Sequence, residues 1–116
     1  MQQTQLRHLS LFSGLGACST ALKMAKVPFQ TLAISEINQK SLKVYKAIHG
    51  SVPNNLGDIT EIDPSEVPSD IDIWTGGPPC QKFSRLGSRA GFSADLKPMF
   101  SFQDLILDCR PAYVLM

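Results

Sequence analysis

A cysteine on a proline-braced turn is the residue in this chain best placed to act as a nucleophile. Residues Gly76 to Ser84 read Gly-Gly-Pro-Pro-Cys-Gln-Lys-Phe-Ser and follow the short apolar stretch 71–74. That stretch predicts a strand, so Cys80 is expected just past its carboxyl end, the edge where open α/β sheets bind ligands. Two consecutive prolines fix φ and remove two backbone donors, which holds the turn in one shape. A thiol mounted in this way is expected to point into a cleft.

A glycine-rich turn and a later carboxylate predict a second half of the site. Phe12 to Gly16 reads Phe-Ser-Gly-Leu-Gly, and missing side chains let backbone N–H groups and a helix N-terminus approach a ligand. Ser19 stands where a dinucleotide fingerprint would place its third glycine, which argues against an NAD site. Glu36 lies 22 residues after Gly14, where a carboxylate can accept both hydroxyls of a ribose. The pair indicates an adenosine-containing ligand.

A basic cluster follows the candidate nucleophile. Lys82, Arg85 and Arg89 fall within eight residues, and no acid intervenes between Asp72 and Asp95. A solvated loop would explain such a cluster as well as a phosphate contact does, but its position favours the contact. The net charge of +1 is low for a nucleic-acid binder.

Predicted strands and helices alternate along the chain. The strands are expected at residues 9–12, 29–35, 56–59, 71–75 and 112–116, and the helices at 17–26, 38–49 and 99–110, with a helical turn at 63–66. This order predicts an α/β fold with a mainly parallel, doubly wound sheet. The long loop 76–97 is expected to move, because loops of that length are usually functional or mobile.

Composition indicates one ordinary globular domain in the cytosol. Hydrophobic residues make up 43% of the 116 residues, and neither a membrane-spanning stretch nor a signal peptide is recognisable. Three cysteines without metal-ligand spacing predict neither a metal site nor a disulfide. His8 and His49 are expected at the surface or in turns.

The run from Gly76 to Ser84 resembles the catalytic motif of the cytosine-5 DNA methyltransferases, with Lys82 in the variable position. The resemblance implies that Cys80 attacks carbon 6 of a cytosine flipped out of double-stranded DNA. It further implies a Rossmann-like S-adenosylmethionine-dependent methyltransferase sheet, truncated after about five strands. A cytoplasmic location in a bacterium or phage-infected cell, or a nuclear one in a eukaryote, would follow.

The same resemblance assigns the remaining site residues. Residues 11–22 are similar to the family's S-adenosylmethionine turn, Glu36-Ile37 to its ribose and adenine contacts, and 57–59 to the segment whose aspartate meets the adenine amino group. The cofactor, released as S-adenosylhomocysteine, is thus expected to be bound by Phe12, Gly14, Gly16, Glu36, Ile37, Asp58, Ile59 and Pro78. The expected nucleic-acid contacts are Gln81, Ser84, Arg85 and Arg89.

The resemblance covers nearly the whole chain but only the first third or so of a full enzyme. In the family a strand like 113–116 continues into Glu-Asn-Val, whose carboxylate engages N3 of the cytosine; a target-recognition domain and a closing C-terminal helix follow. Residues 1–116 are therefore expected to be the N-terminal part of the catalytic domain, either a fragment or half of a split enzyme that needs a C-terminal partner.

Three other functions remain open from the sequence. The catalytic motif equally allows the same chemistry on RNA. Leu96-Lys97 stands where the family usually has Arg-Gly, which favours a cofactor-binding or regulatory module without turnover. A redox-active thiol protein is the third, although no resolving cysteine lies near Cys80 in sequence.

Overall fold

The structure, a computed structural model, describes residues 5–77 and 96–116. Its strands are β1 (Leu6–Leu11), β2 (Phe29–Ser35), β3 (Asn54–Asn55), β4 (Ile73–Gly76) and β5 (Tyr113–Leu115). Its helices are α1 (Ala17–Met24), α2 (Gln39–His49) and α3 (Lys97–Cys109), and single 3₁₀ turns span Ile59–Glu61 and Pro64–Glu66.

The strands form one parallel sheet in the order β3-β2-β1-β4-β5. From β1 the chain steps outward through β2 to β3, and then returns to β4 on the other side of β1. The order therefore reverses between β1 and β4, and ligands of open α/β sheets bind outside the strand ends at such a point. The predicted α/β, doubly wound parallel sheet is confirmed.

The core consists of the central strands and one face of α3. Leu9 and Leu11 of β1, Ala33 of β2, Trp74 of β4 and Phe102 of α3 are almost fully buried. Central strands of a parallel sheet carry near-continuous apolar runs because helices cover both faces. This core fixes the carboxyl ends of β1 and β4, where the candidate site residues lie.

The prediction of a third strand at residues 56–59 is wrong. The strand is the two-residue β3, Asn54–Asn55, and the chain leaves the sheet at Gly57, whose φ is 81°. Asp58 then caps a 3₁₀ turn, accepting a hydrogen bond from the Thr60 amide at 2.9 Å. Local capping chemistry thus overrides the apolar pattern that favoured a strand.

The prediction that His8 lies at the surface is also wrong. His8 is fully buried in β1, and its Nδ1 and Nε2 lie 2.8 and 2.7 Å from the hydroxyl oxygens of Thr31 in β2 and Thr75 in β4. Burial lowers the pKa of His8 to about 4. Its partners are 23 and 67 residues away in sequence, so no local pattern could indicate the buried network.

Two cysteines of the described residues, Cys18 and Cys109, are half-buried free thiols. In the part of the chain that the structure describes, no helix has the length and apolar character needed to cross a membrane.

Candidate functional site

A pocket of about 260 Å³ opens at the carboxyl edge of the sheet, beside the point where the strand order reverses. Five residues that the sequence predicts as cofactor ligands line it: Phe12, Glu36, Ile37, Asp58 and Ile59. The remaining lining residues are Ser35, Gly57, Gly77 and Pro98. Segments far apart in sequence therefore meet around one cavity.

Two backbone amides hold the carboxylate of Glu36 in place. Gly14 N donates to Oε1 at 2.6 Å, and Asn38 N donates to Oε2 at 3.0 Å. Each carboxylate oxygen has two acceptor sites, so one site on each oxygen is left by these two bonds. Glu36 can thus accept two adjacent hydroxyls of a ligand while its orientation is fixed by the turn.

Asn55 holds the backbone of Glu36 by hydrogen bonds, a role that the sequence did not predict. Its Oδ1 accepts from Glu36 N at 3.1 Å and from Gly57 N at 3.0 Å, while its Nδ2 donates to Glu36 O at 2.9 Å. One side chain therefore joins β3 to the backbone on either side of the pocket. The available signal was the pair Asn54-Asn55 itself, because asparagine is depleted in strands unless its side chain has a specific partner.

Phe12 occupies an unusual backbone conformation at the pocket wall. Its φ is 52°, in the left-handed region that bulky residues rarely adopt. Its ring packs edge-on against the Phe102 ring, with 6.0 Å between the centroids. Strained residues of this kind cluster at ligand sites, where the surrounding packing enforces them.

Asp58 provides a second carboxylate at the pocket rim. Its Oδ1 accepts hydrogen bonds from the amide and hydroxyl of Thr60, at 2.9 and 2.8 Å. These bonds, with a smaller contribution from the charge of Lys97, lower the pKa of the Asp58 carboxyl. Asp58 is therefore ionised and oriented at neutral pH.

Gly16, predicted as a cofactor ligand, is not among the residues that line the pocket. It precedes α1 with φ 80°, and a Cβ there would collide with the His49 ring and come within 2.7 Å of the Tyr45 ring. His49 Nε2 lies 3.1 Å from Leu15 O, which ties α2 to the same turn. Gly16 thus allows the close approach of α2, whereas Gly14 acts on the pocket through Glu36.

The other predicted site residues lie outside the described ranges: Pro78, Cys80, Gln81, Ser84, Arg85 and Arg89. The described chain reaches the pocket just before this segment begins. β4 ends at Gly76, and Gly77, three residues before Cys80, lines the cavity.

The apolar side chains and hydrogen-bond acceptors that line the pocket fit S-adenosylmethionine. An aromatic ring and the Ile37 side chain can pack on a base, and the two carboxylates can accept from hydroxyl and amino groups. At the same turn Ser13 Oγ is buried without a hydrogen-bond partner among the described residues. A buried hydroxyl without a partner is rare, and a missing ligand is one reason for it.

Sheet order and pocket position define a Rossmann-like fold, and solved methyltransferase structures share it. The crystal structure of the Dnmt2 methyltransferase of Schizosaccharomyces pombe matches 91% of this chain with a TM-score of 0.68 and 26% identity, over 30% of its own length. Residues 6–116 match the family model described as C-5 cytosine-specific DNA methylase. The chain belongs to that family.

Two curated relatives show the range of the family. The orphan methyltransferase M.Rho11sI of Bacillus phage rho11s is 39% identical over 95% of this chain and 22% of its own length. The tRNA (cytosine(38)-C(5))-methyltransferase of Schizosaccharomyces pombe is 33% identical over 73% of this chain and 26% of its own length. The chain thus spans about a quarter or less of these relatives.

Proposed function

We propose that this chain supplies the cofactor pocket and the nucleophile of a DNA cytosine-5 methyltransferase. The observation that carries the proposal is the convergence of Phe12, Glu36, Ile37 and Asp58 on one pocket that Gly77 also lines. The family match across 6–116 supports the same reading.

S-adenosylmethionine, when bound, supplies the methyl group. Phe12 and Ile37 would pack against its adenine, Glu36 would accept from its ribose hydroxyls, and Asp58 would accept from its adenine amino group. Ile59, Gly14 and Gly16 would shape the pocket and its turn, and Pro78 is proposed as a further cofactor contact.

Cys80 carries out the covalent chemistry on a cytosine that has left the duplex. Its thiolate would add to carbon 6 and make carbon 5 nucleophilic toward the methyl group that bound S-adenosylmethionine would supply, with S-adenosylhomocysteine as the leaving group. Loss of the proton from carbon 5 and elimination of the thiolate restore the aromatic base and the free enzyme. Gln81 shapes the base pocket, while Ser84, Arg85 and Arg89 contact the DNA backbone.

We propose that turnover also requires parts that lie beyond the segment matched in the longer relatives. A carboxylate in a Glu-Asn-Val segment engages N3 of the cytosine in the family, and target choice lies in a separate domain. Because the chain covers 22% of its phage relative, we propose that a downstream polypeptide completes the site.

Transfer of tritium-labelled methyl groups tests this function. The chain is mixed with, or fused to, the part of M.Rho11sI that follows the matched segment, and duplex DNA is the substrate. Label should enter cytosine only with both parts present, and should be lost in Cys80→Ser but kept in Cys109→Ser. Transfer by the Cys80→Ser protein would refute the proposal, and failure of complementation would favour a regulatory cofactor-binding module.

RNA is the second candidate substrate, because one relative is named as a tRNA methyltransferase. A parallel reaction with tRNA, using the same pair of cysteine variants, separates the two. Faster Cys80-dependent labelling of tRNA than of duplex DNA would assign the chain to RNA.

A further inference from the structure

Positive and negative charges occupy different halves of the sequence, which the net charge of +1 conceals. Residues 1–57 contain six Lys and Arg and one acid, whereas residues 58–116 contain five Lys and Arg and nine acids. The two halves therefore carry formal charges of +5 and −4.

The fold gathers five lysines of the first half on one helical layer. Helices α1 and α2 are neighbours there, since Lys23 Nζ lies 3.3 Å from His49 Nδ1 and a Cβ on Gly16, directly before α1, would come within 2.7 Å of the Tyr45 ring. The exposed lysines of this layer, called the lysine face below, are Lys23, Lys26, Lys40, Lys43 and Lys46.

Three of these lysines form a row along the outer side of α2. Lys40, Lys43 and Lys46 recur every third residue, so they fall within an arc of about 120° on the helix. The buried residue of α2 is Tyr45, which points about 160° away from the middle lysine. The row is therefore the part of α2 that faces directly away from the core.

The lysine face lacks the interspersed acids of an ordinary solvated surface. Neither α1 nor α2 contains an acidic residue. Glu36, the one acid of the first 57 residues, accepts hydrogen bonds from Gly14 N and Asn38 N at the pocket. The sequence thus offers the lysines no acidic neighbour within their own layer.

Five of the nine acids of residues 58–116 lie on the other side of the sheet. The connections through α1 and α2 run from β1 toward β3, whereas the connection through α3 runs from β4 toward β5. Right-handed crossovers in opposite directions place their helices on opposite faces. The α3 layer with its 3₁₀ turns carries Glu61, Asp63, Glu66, Asp104 and Asp108.

We infer that the lysine face binds the phosphate backbone of duplex DNA, as a surface separate from Gln81, Ser84, Arg85 and Arg89. The choice of DNA rests on the proposed function, and the choice of surface rests on charge complementarity. Lysines act as point charges toward phosphate, and a row without acids gives the sequence-independent attraction that brings an enzyme onto a duplex. Lys40 lies four residues after Glu36, so the face begins beside the cofactor pocket.

Anisotropy of a labelled duplex, titrated with the full chain at several salt concentrations, tests the inference. Lys40→Glu/Lys43→Glu/Lys46→Glu should weaken binding at least about tenfold and lower the salt slope by about two to three, because each lost phosphate contact removes about 0.9 from it. The corresponding triple Arg variant should bind like the parent. Lys43→Glu and Arg110→Glu form a matched pair with the same change in net charge, and only Lys43→Glu should weaken binding.

Three outcomes would overturn the inference. Equal losses for Lys43→Glu and Arg110→Glu would mean that net charge alone governs binding. Tighter, lysine-dependent binding of tRNA than of the duplex would replace DNA by RNA. Light scattering that shows lysine-dependent self-association, with no duplex binding, would assign the face to the acidic side of a second copy.

The inference and the proposed function can fail separately. If Cys80-dependent methyl transfer were absent but duplex binding still depended on the lysines, only the proposed function would be refuted. If methyl transfer were intact but duplex binding did not depend on the three lysines, only the inference about the lysine face would be refuted.

Discussion

Glu36 acts in two directions, toward the turn that holds it and toward the ligand it is proposed to bind. Its two bonds from Gly14 N and Asn38 N are charge-assisted, and such bonds are short and strong. A carboxylate oriented before the ligand arrives loses little side-chain entropy on binding. The same side chain therefore stabilises the turn and is already oriented for the ribose that it is proposed to bind.

Replacement of Glu36 should weaken binding of S-adenosylhomocysteine at least about tenfold. Glu36→Ala loses both acceptors, and Glu36→Gln places an NH₂ group against one of the two backbone N–H groups. Isothermal titration calorimetry should show at least about a tenfold loss for either variant, since one charge-assisted bond contributes about 1.5–3 kcal/mol. Glu61→Ala, a matched exposed acid, should bind like the parent; if the Glu36→Ala protein also did so, the ribose contact would lie elsewhere.

At the scale of elements, the strands and helices that the sequence predicted correctly are those specified by residues close together in sequence. Apolar periodicity, with glycine, asparagine or proline at the ends, predicted β2, α2, α3 and the turn that follows β1. The sequence also predicted a common site for Phe12, Glu36 and Asp58, and these residues line one pocket. Strand β3 lies before the predicted range 56–59, because Gly57 and the cap formed by Asp58 end the strand early. Asn55 was missed because its partner Glu36 lies 19 residues away in sequence, and His8 was missed because its partners Thr31 and Thr75 come from other strands.

Asn55 should therefore be the side chain on which the β3 edge of the pocket depends. Asn55→Ala removes three hydrogen bonds to the backbone of Glu36 and Gly57, so the free energy of unfolding should fall by about 2–3 kcal/mol. The adjacent Asn54 is exposed, and Asn54→Ala should change it by less than about 0.5 kcal/mol. Urea denaturation of both variants decides the matter, and equal losses would mean that Asn55 merely fills the strand.

At the scale of the whole molecule, the buried His8 links stability to pH. Its folded pKa of about 4 lies below the ordinary value of 6.5, so the unfolded chain binds the extra proton between these values. Stability is thus complete above pH 6.5 and decreases as the pH falls toward 4. Between about pH 7 and 5 the free energy of unfolding should drop by about 2 kcal/mol from this residue alone.

Denaturant titrations at the two pH values check this expectation. His8→Phe, although less stable overall, should lose most of the difference between them, because it has no imidazole to protonate. His49→Gln should keep the difference, since His49 lies in the outer helical layer. A difference that persists unchanged in His8→Phe would place the proton on another group.

The most direct test of the central claim is the mass of a trapped covalent adduct. The chain, complemented by the downstream part of its phage relative, is incubated with S-adenosylmethionine and a duplex containing 5-fluorocytosine, which blocks elimination because carbon 5 has no proton to lose. Intact-mass spectrometry should show one covalently attached DNA strand on this chain, and peptide mapping should locate the attachment at Cys80. An adduct at Cys18 or Cys109, or methyl transfer to cytosine without any adduct at Cys80, would contradict the assignment of Cys80 as the nucleophile.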